Sequence, residues 1–137
     1  MIQKSILLRC PPDEAFRLFT TRISEWWPTT HRPTNDSKST LFLEQTGRFW
    51  ERASDGREVE LGRLLVWDEP NRLALDFFVG TSAAQRTALE VTFTPEDDGT
   101  RVTVRHRAKP ESQEIWNLRA PVFERSWSAV LAALSSW

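Results

Sequence analysis

The sequence predicts an α+β fold in which a curved antiparallel sheet of about seven strands wraps a long C-terminal helix, with two short helices after the first strand. Three observations carry this expectation. Stretches of two-residue alternation recur along the chain, separated by short turn signals. Their apolar residues share one face, as in a sheet with one wet side and one covered side. The segment Glu111–Trp137 carries an apolar stripe at helical spacing, long enough to supply the cover. At 137 residues the chain has the usual size of one domain. A chain this long buries roughly 70% of its unfolded surface, so it builds a core without disulfides or metals.

The elements follow in order. Ile2–Arg9 reads as a first strand, ended by Pro11-Pro12. Pro12 suits the first turn of a helix, and Asp13 and Glu14 sit at the positive end of its dipole. Phe16, Phe19 and Ile23 fall on one stripe. Ile23–Trp27 reads as a second short helix, stopped by Pro28. Pro28–Lys38 is polar and aperiodic, a loop of about ten residues that could form a mobile lid or a rim. Thr40–Glu44 and Arg48–Ala53 flank the hairpin signal Gln45-Thr46-Gly47. Ser54-Asp55-Gly56 turns the chain into Glu58–Trp67. Asp68-Glu69-Pro70-Asn71 leads to Arg72–Val79, where Leu73, Leu75, Phe77 and Val79 share a face. Arg86–Thr94 turns Leu89, Val91 and Phe93 inward. Arg101–Ala108 does the same with Val102, Val104 and His106.

One strand breaks the alternation. Val59, Leu61, Leu65 and Trp67 share a parity with Arg63, while Leu64 and Val66 point the other way. Either Gly62 marks a bulge that flips the register, or Arg63 points into the covered space. In the C-terminal segment, Ile115, Leu118, Val122, Trp127, Val130, Leu131 and Leu134 define the expected stripe. A continuous helix would span roughly 40 Å. Pro121 is expected to kink or divide it.

Composition narrows the function. Lys plus Arg number 18 and Asp plus Glu 19, interleaved with no basic block, so a nucleic-acid footprint is missing. Salt-bridged strand surfaces account for the Arg content. Cys10 is the sole cysteine. It cannot form an internal disulfide, which fits a reducing compartment, and nothing near it in sequence would activate the thiol. No signal-peptide core or membrane-length apolar run occurs, so the expectation is a cytoplasmic protein. Two separated His, one Cys and no paired-ligand spacing predict no metal site, and no phosphate loop implies a cofactor.

Several segments together resemble the SRPBCC superfamily, the START-like helix-grip proteins. These are Cys10–Phe19, Ile23–Pro28, Asp55–Glu58, Gly62–Leu73, Glu90–Pro95, Gly99–His106 and Ser126–Leu131. Within it they resemble the group similar to the C-terminal domain of the activator of the heat-shock-ninety chaperone ATPase, whose members are mostly bacterial. The resemblance implies a helix-grip fold. Its superfamily includes lipid carriers, polyketide cyclases and co-chaperone domains.

Seven Trp and eight Phe, with no Tyr, supply either braces between sheet and helix or the lining of a pocket. The pocket candidates are Trp26, Trp27, Phe49, Trp67, Phe77, Phe93, His106, Phe123 and Trp127. His106 is either an acid/base facing a cavity or a core histidine held by hydrogen bonds. His31 is expected in solvent. Arg48, Glu51 and Arg63 either line the grip, pairing or holding a ligand carboxylate, or face water. The expected function is binding of a small hydrophobic, aromatic or lipid-like ligand between sheet and C-terminal helix. A chaperone-associated interaction module and a cyclase- or hydrolase-type enzyme using His106 are the alternatives.

Overall fold

The computed structural model describes residues 1–137. Strands β1 (Ile2–Leu8), β2 (Thr40–Leu43), β3 (Arg48–Arg52), β4 (Glu58–Asp68), β5 (Arg72–Phe77), β6 (Thr87–Glu96) and β7 (Gly99–Arg107) form one sheet in the order β1-β7-β6-β5-β4-β3-β2. All neighbours are antiparallel. Helix α1 (Pro12–Phe19) and a 3-10 turn at Ile23–Glu25 follow β1, and helix α2 (Gln113–Ser135) closes the chain. The second short helix is thus a single 3-10 turn.

The meander from β2 to β7 follows from short turns. Asp97 and Asp98 both take positive φ in the two-residue connection between Glu96 and Gly99, the backbone that a tight hairpin requires. Gly56 (φ +91°) serves the same need between β3 and β4. The wet face carries the Arg residues in ion pairs. Arg72 and Arg105 both reach Glu90, at 2.7 and 3.5 Å. Arg48 donates to Glu58 and Glu60 and lies over the Trp50 ring. Such exposed pairs add little stability.

The broken alternation in β4 comes from two bulges. Phe49 pairs with Gly62 but Trp50 with Glu60, so Leu61 is the extra residue. Leu64 pairs with Leu75 but Val66 with Ala74, so Leu65 is extra in turn. The first flips the register, which buries Leu61 and exposes Arg63. The second leaves Leu65 exposed. Each bulge adds local bend and twist. Gly62 permits the close approach of β5, because a Cβ there would run into the Asp76 carbonyl oxygen.

The C-terminal segment departs from expectation in the phase of its stripe, and of the two outcomes expected at Pro121 division does not occur. Helix α2 runs unbroken through Pro121. Pro121 and Asn117 are both exposed, so the carbonyl that lacks its N–H partner stands on the water side, where solvation offsets the loss. The stripe is also out of phase before Pro121. Leu118 is 78% exposed; the side chains against the sheet are Trp116, Ala120, Phe123, Trp127, Val130, Leu131 and Leu134.

The Pro28–Lys38 segment is anchored at several points. The buried Arg32 guanidinium donates to the carbonyls of Ser24, Trp27 and Ser39 at 2.7–3.2 Å. Thr34 donates its backbone N–H and its hydroxyl to Glu51, at 3.2 and 2.6 Å. Asp36 receives the Ser54 N–H and hydroxyl. These bonds make the segment a fixed rim instead of a mobile lid. They also settle Glu51, which is fully buried and spent on Thr34.

Candidate functional site

The aromatic core has two ends, joined where Trp26 and Trp27 meet at 5.6 Å. At one end α1 presses Phe16 and Phe19 onto Phe93, with ring centroids 5.2 and 6.1 Å apart. Phe16 also meets Trp67 edge-on at 5.2 Å. Trp26 closes this end and donates its indole N–H to the Leu18 carbonyl at 2.6 Å. Edge-to-face rings and a satisfied indole describe packed core.

At the other end the rings leave space. A cleft of about 340 Å³ lies between the end of β5, α2 and the rim. Its apolar walls are Trp27, Phe77, Val79, Val122, Phe123, Trp127 and Val130. The helical period sets the α2 wall, since Phe123, Trp127 and Val130 are spaced to share a face. Trp27 meets Trp127 edge-on at 5.9 Å, and Phe77 lies 5.6 Å from Trp127. Thr30, His31, Arg32 and Asn35 supply the rim, and Arg119 and Ser126 supply polar groups from α2. His31 is half-buried at this rim, not free in solvent. No Asp or Glu lines the cleft.

His106 stands behind this wall, fully buried. The Trp127 indole N–H donates to its Nδ1 at 3.0 Å. An indole nitrogen can only donate, so Nδ1 is the bare nitrogen and the proton sits on Nε2. Nε2 donates to the Thr87 hydroxyl at 2.6 Å, and that hydroxyl in turn donates to the Phe77 carbonyl at 2.7 Å. Both ring nitrogens are therefore occupied. Burial pushes the His106 pKa down to about 3. The ring is neutral near pH 7 and has no free nitrogen to offer a substrate. Cys10 is also quiet, since burial and the neighbouring Glu14 and Asp13 push its thiol pKa up.

The family model for "Activator of Hsp90 ATPase homolog 1-like protein" matches residues 9–136. The chain belongs to this family. No curated protein matches it in sequence. Among solved structures, this family member is similar to a protein of Nitrosomonas europaea, with 16% identity and a TM-score of 0.65 over 98% of this chain and 91% of that one. It is similar to an Hsp90 activator of Plasmodium falciparum, with 14% identity and a TM-score of 0.54 over 80% and 73%. Likenesses at that identity show the helix-grip fold alone. It is also similar to the anthrahydroquino-gamma-pyrone synthase Txn09, with 28% identity and a TM-score of 0.56 over 86% and 83%.

In this activator-homologue-like chain the structure gathers only some of the sequence-selected aromatics at the cleft. Trp27, Phe77, Phe123 and Trp127 line it. Phe49 and His106 back that wall, Phe49 lying 6.1 Å from Trp27 and 6.4 Å from Phe77. Trp26, Trp67 and Phe93 belong to the packed end and do not reach the cleft. Sequence reasoning passed over Arg119, Val79 and Gly80. A signal for Arg119 existed, because it stands four residues before Phe123 and eight before Trp127. The out-of-phase stripe at Leu118 hid it. No helix of the chain is long and apolar enough to cross a membrane. No group of three or more His, Cys, Asp or Glu side chains is placed to hold a metal ion.

Proposed function

We propose that the chain binds a small hydrophobic, aromatic ligand in the cleft between the end of β5, the rim and α2. The observation that carries this reading is the cleft itself: aromatic walls with a few polar groups at the mouth, at a size that suits a small molecule. The walls come from rings already braced by one another, so a ligand meets a preformed surface and little ordering is needed on binding. The 28% likeness to a synthase named for a polycyclic aromatic product supports the same ligand class.

Catalysis by His106 is not part of this reading. Both its nitrogens are engaged and its ring lies behind the cleft wall. A chaperone partner is the second reading, favoured by the family's description. Native mass spectrometry of the purified protein, with a titration of aromatic ligands followed by tryptophan fluorescence, tests the first reading. Retained ligand mass or saturable quenching supports it. A protein that carries nothing and quenches with no ligand contradicts it. Pull-down with the chaperone and an ATPase assay test the second, which fails if neither association nor stimulation is seen.

A further inference from the structure

Arg119 has an unusual position. Its side chain reaches across the mouth of the cleft, with the guanidinium carbon 5.5 Å from the Phe123 ring centre. Its Nη2 lies 2.7 Å from where a Cβ on Gly80 would stand. Gly80, at φ +79°, thus both makes the turn after β5 and leaves room for this guanidinium. Yet Arg119 makes no ion pair, and its Nε is buried without a hydrogen-bond partner. Only one other buried side-chain polar atom lacks a partner, the hydroxyl of Thr81, adjacent to Gly80. Both orphaned atoms therefore belong to groups that flank Gly80. A buried donor left unmatched costs free energy, and a charged one costs more.

The charge around the cleft has one sign. Arg32 and Arg119 line it, and no carboxylate does. Arg32 is already committed to three backbone carbonyls. Of the two arginines, Arg119 keeps its donors for a ligand. A guanidinium fork matches a carboxylate with two parallel hydrogen bonds, and stacks on aromatic faces as well.

We propose that the cleft selects an aromatic ligand bearing an acidic group, carboxylate or phenolate, and that Arg119 binds that group while the rings of the ligand lie among Trp27, Phe77 and Trp127. This rests on the ligand-binding reading above and adds the charge of the ligand and the residue that reads it. Anthraquinone-2-carboxylate and its neutral counterpart anthraquinone-2-carboxamide separate the two claims when titrated by tryptophan quenching and calorimetry near pH 7.5. The acid should bind about tenfold or more tightly than the amide, with an affinity that weakens as salt rises. Arg119→Gln should erase that preference, so that acid and amide bind alike, with circular dichroism confirming the fold. Arg119→Lys, which keeps the charge without the fork, should retain part of the preference. Equal binding of acid and amide to the native protein, or a preference that survives Arg119→Gln, overturns the role of Arg119 while the cleft reading stands. Failure of both compounds to bind overturns both.

Discussion

The two ends of the aromatic core are built from the same kinds of residue and are covered differently. At the α1 end, Phe16, Phe19, Trp26, Trp67 and Phe93 pack ring against ring beneath a helix. At the α2 end, Trp27, Phe77, Phe123 and Trp127 are equally well braced but the cover stops short. The difference lies in what stands above the rings. Helix α1 lays two Phe directly onto the sheet. Helix α2 and the anchored rim leave a gap between them, edged by Gly80 and Arg119. Aromatic content therefore marks a core, and a missing cover with uncommitted polar groups marks a candidate site.

The largest expected effect separates the ends by stability. Phe16 touches nothing at the cleft, so Phe16→Ala should cost about 3–5 kcal/mol in urea unfolding while the folded fraction keeps its ligand affinity. An equal loss of affinity would mean that the ends are coupled.

The next effect concerns the ring behind the cleft wall. The native pKa of His106 is pushed below its ordinary 6.5 to about 3. Above pH 6.5 both native and unfolded states hold a neutral ring, and the full stability is present. As pH falls from 6.5 toward 3, the unfolded chain takes up a proton that the native state refuses, so stability declines through that window. Between pH 7 and 5 this ring accounts for about 2 kcal/mol of the loss. His106→Gln cannot titrate, so unfolding free energies measured at the two pH values should differ by that much less in the variant. Parallel pH courses for the two proteins would remove His106 from the account.

A smaller effect is expected at the rim. Thr34→Ala deletes the hydroxyl bond to Glu51 and should cost about 1–2 kcal/mol. Amide hydrogen exchange should quicken across residues 30–36 and stay unchanged in β6 and β7. Unaltered exchange at the rim would show that the remaining anchors at Arg32 and Asp36 suffice.

Most of the fold was legible because its signals are local. Two-residue alternation in β5, β6 and β7 and positive-φ turns near Gly56 and Asp97 depend on neighbours in sequence. The bulges in β4 were half legible: Arg63 among apolar residues showed a broken register, but pairing with β3 and β5 decided which way it broke. The site was less legible, because it depends on what lies above each ring. Phe93 and Phe77 read identically along their strands, and only the placement of α1 and α2 divides them. The phase of α2 before Pro121 was misread because Leu118 is as apolar as Trp116, and hydropathy alone does not say which faces the sheet. Glu51 and Arg48 sit on one short strand. Pairing by Thr34 on one side and Glu58 with Glu60 on the other explains their opposite fates.

The indole N–H groups provide the most direct test of the difference between the two ends. Each of the seven Trp gives its own signal in a proton–nitrogen correlation spectrum, and anthraquinone-2-carboxylate can be titrated against all of them at once. The Trp27 and Trp127 signals, with the amides of residues 29–35, should shift together and saturate, while Trp26 and Trp67 move less. Shifts centred on Trp26 and Trp67, or no saturable shift at Trp27 and Trp127, would contradict the placement of the ligand site at the open end of the grip.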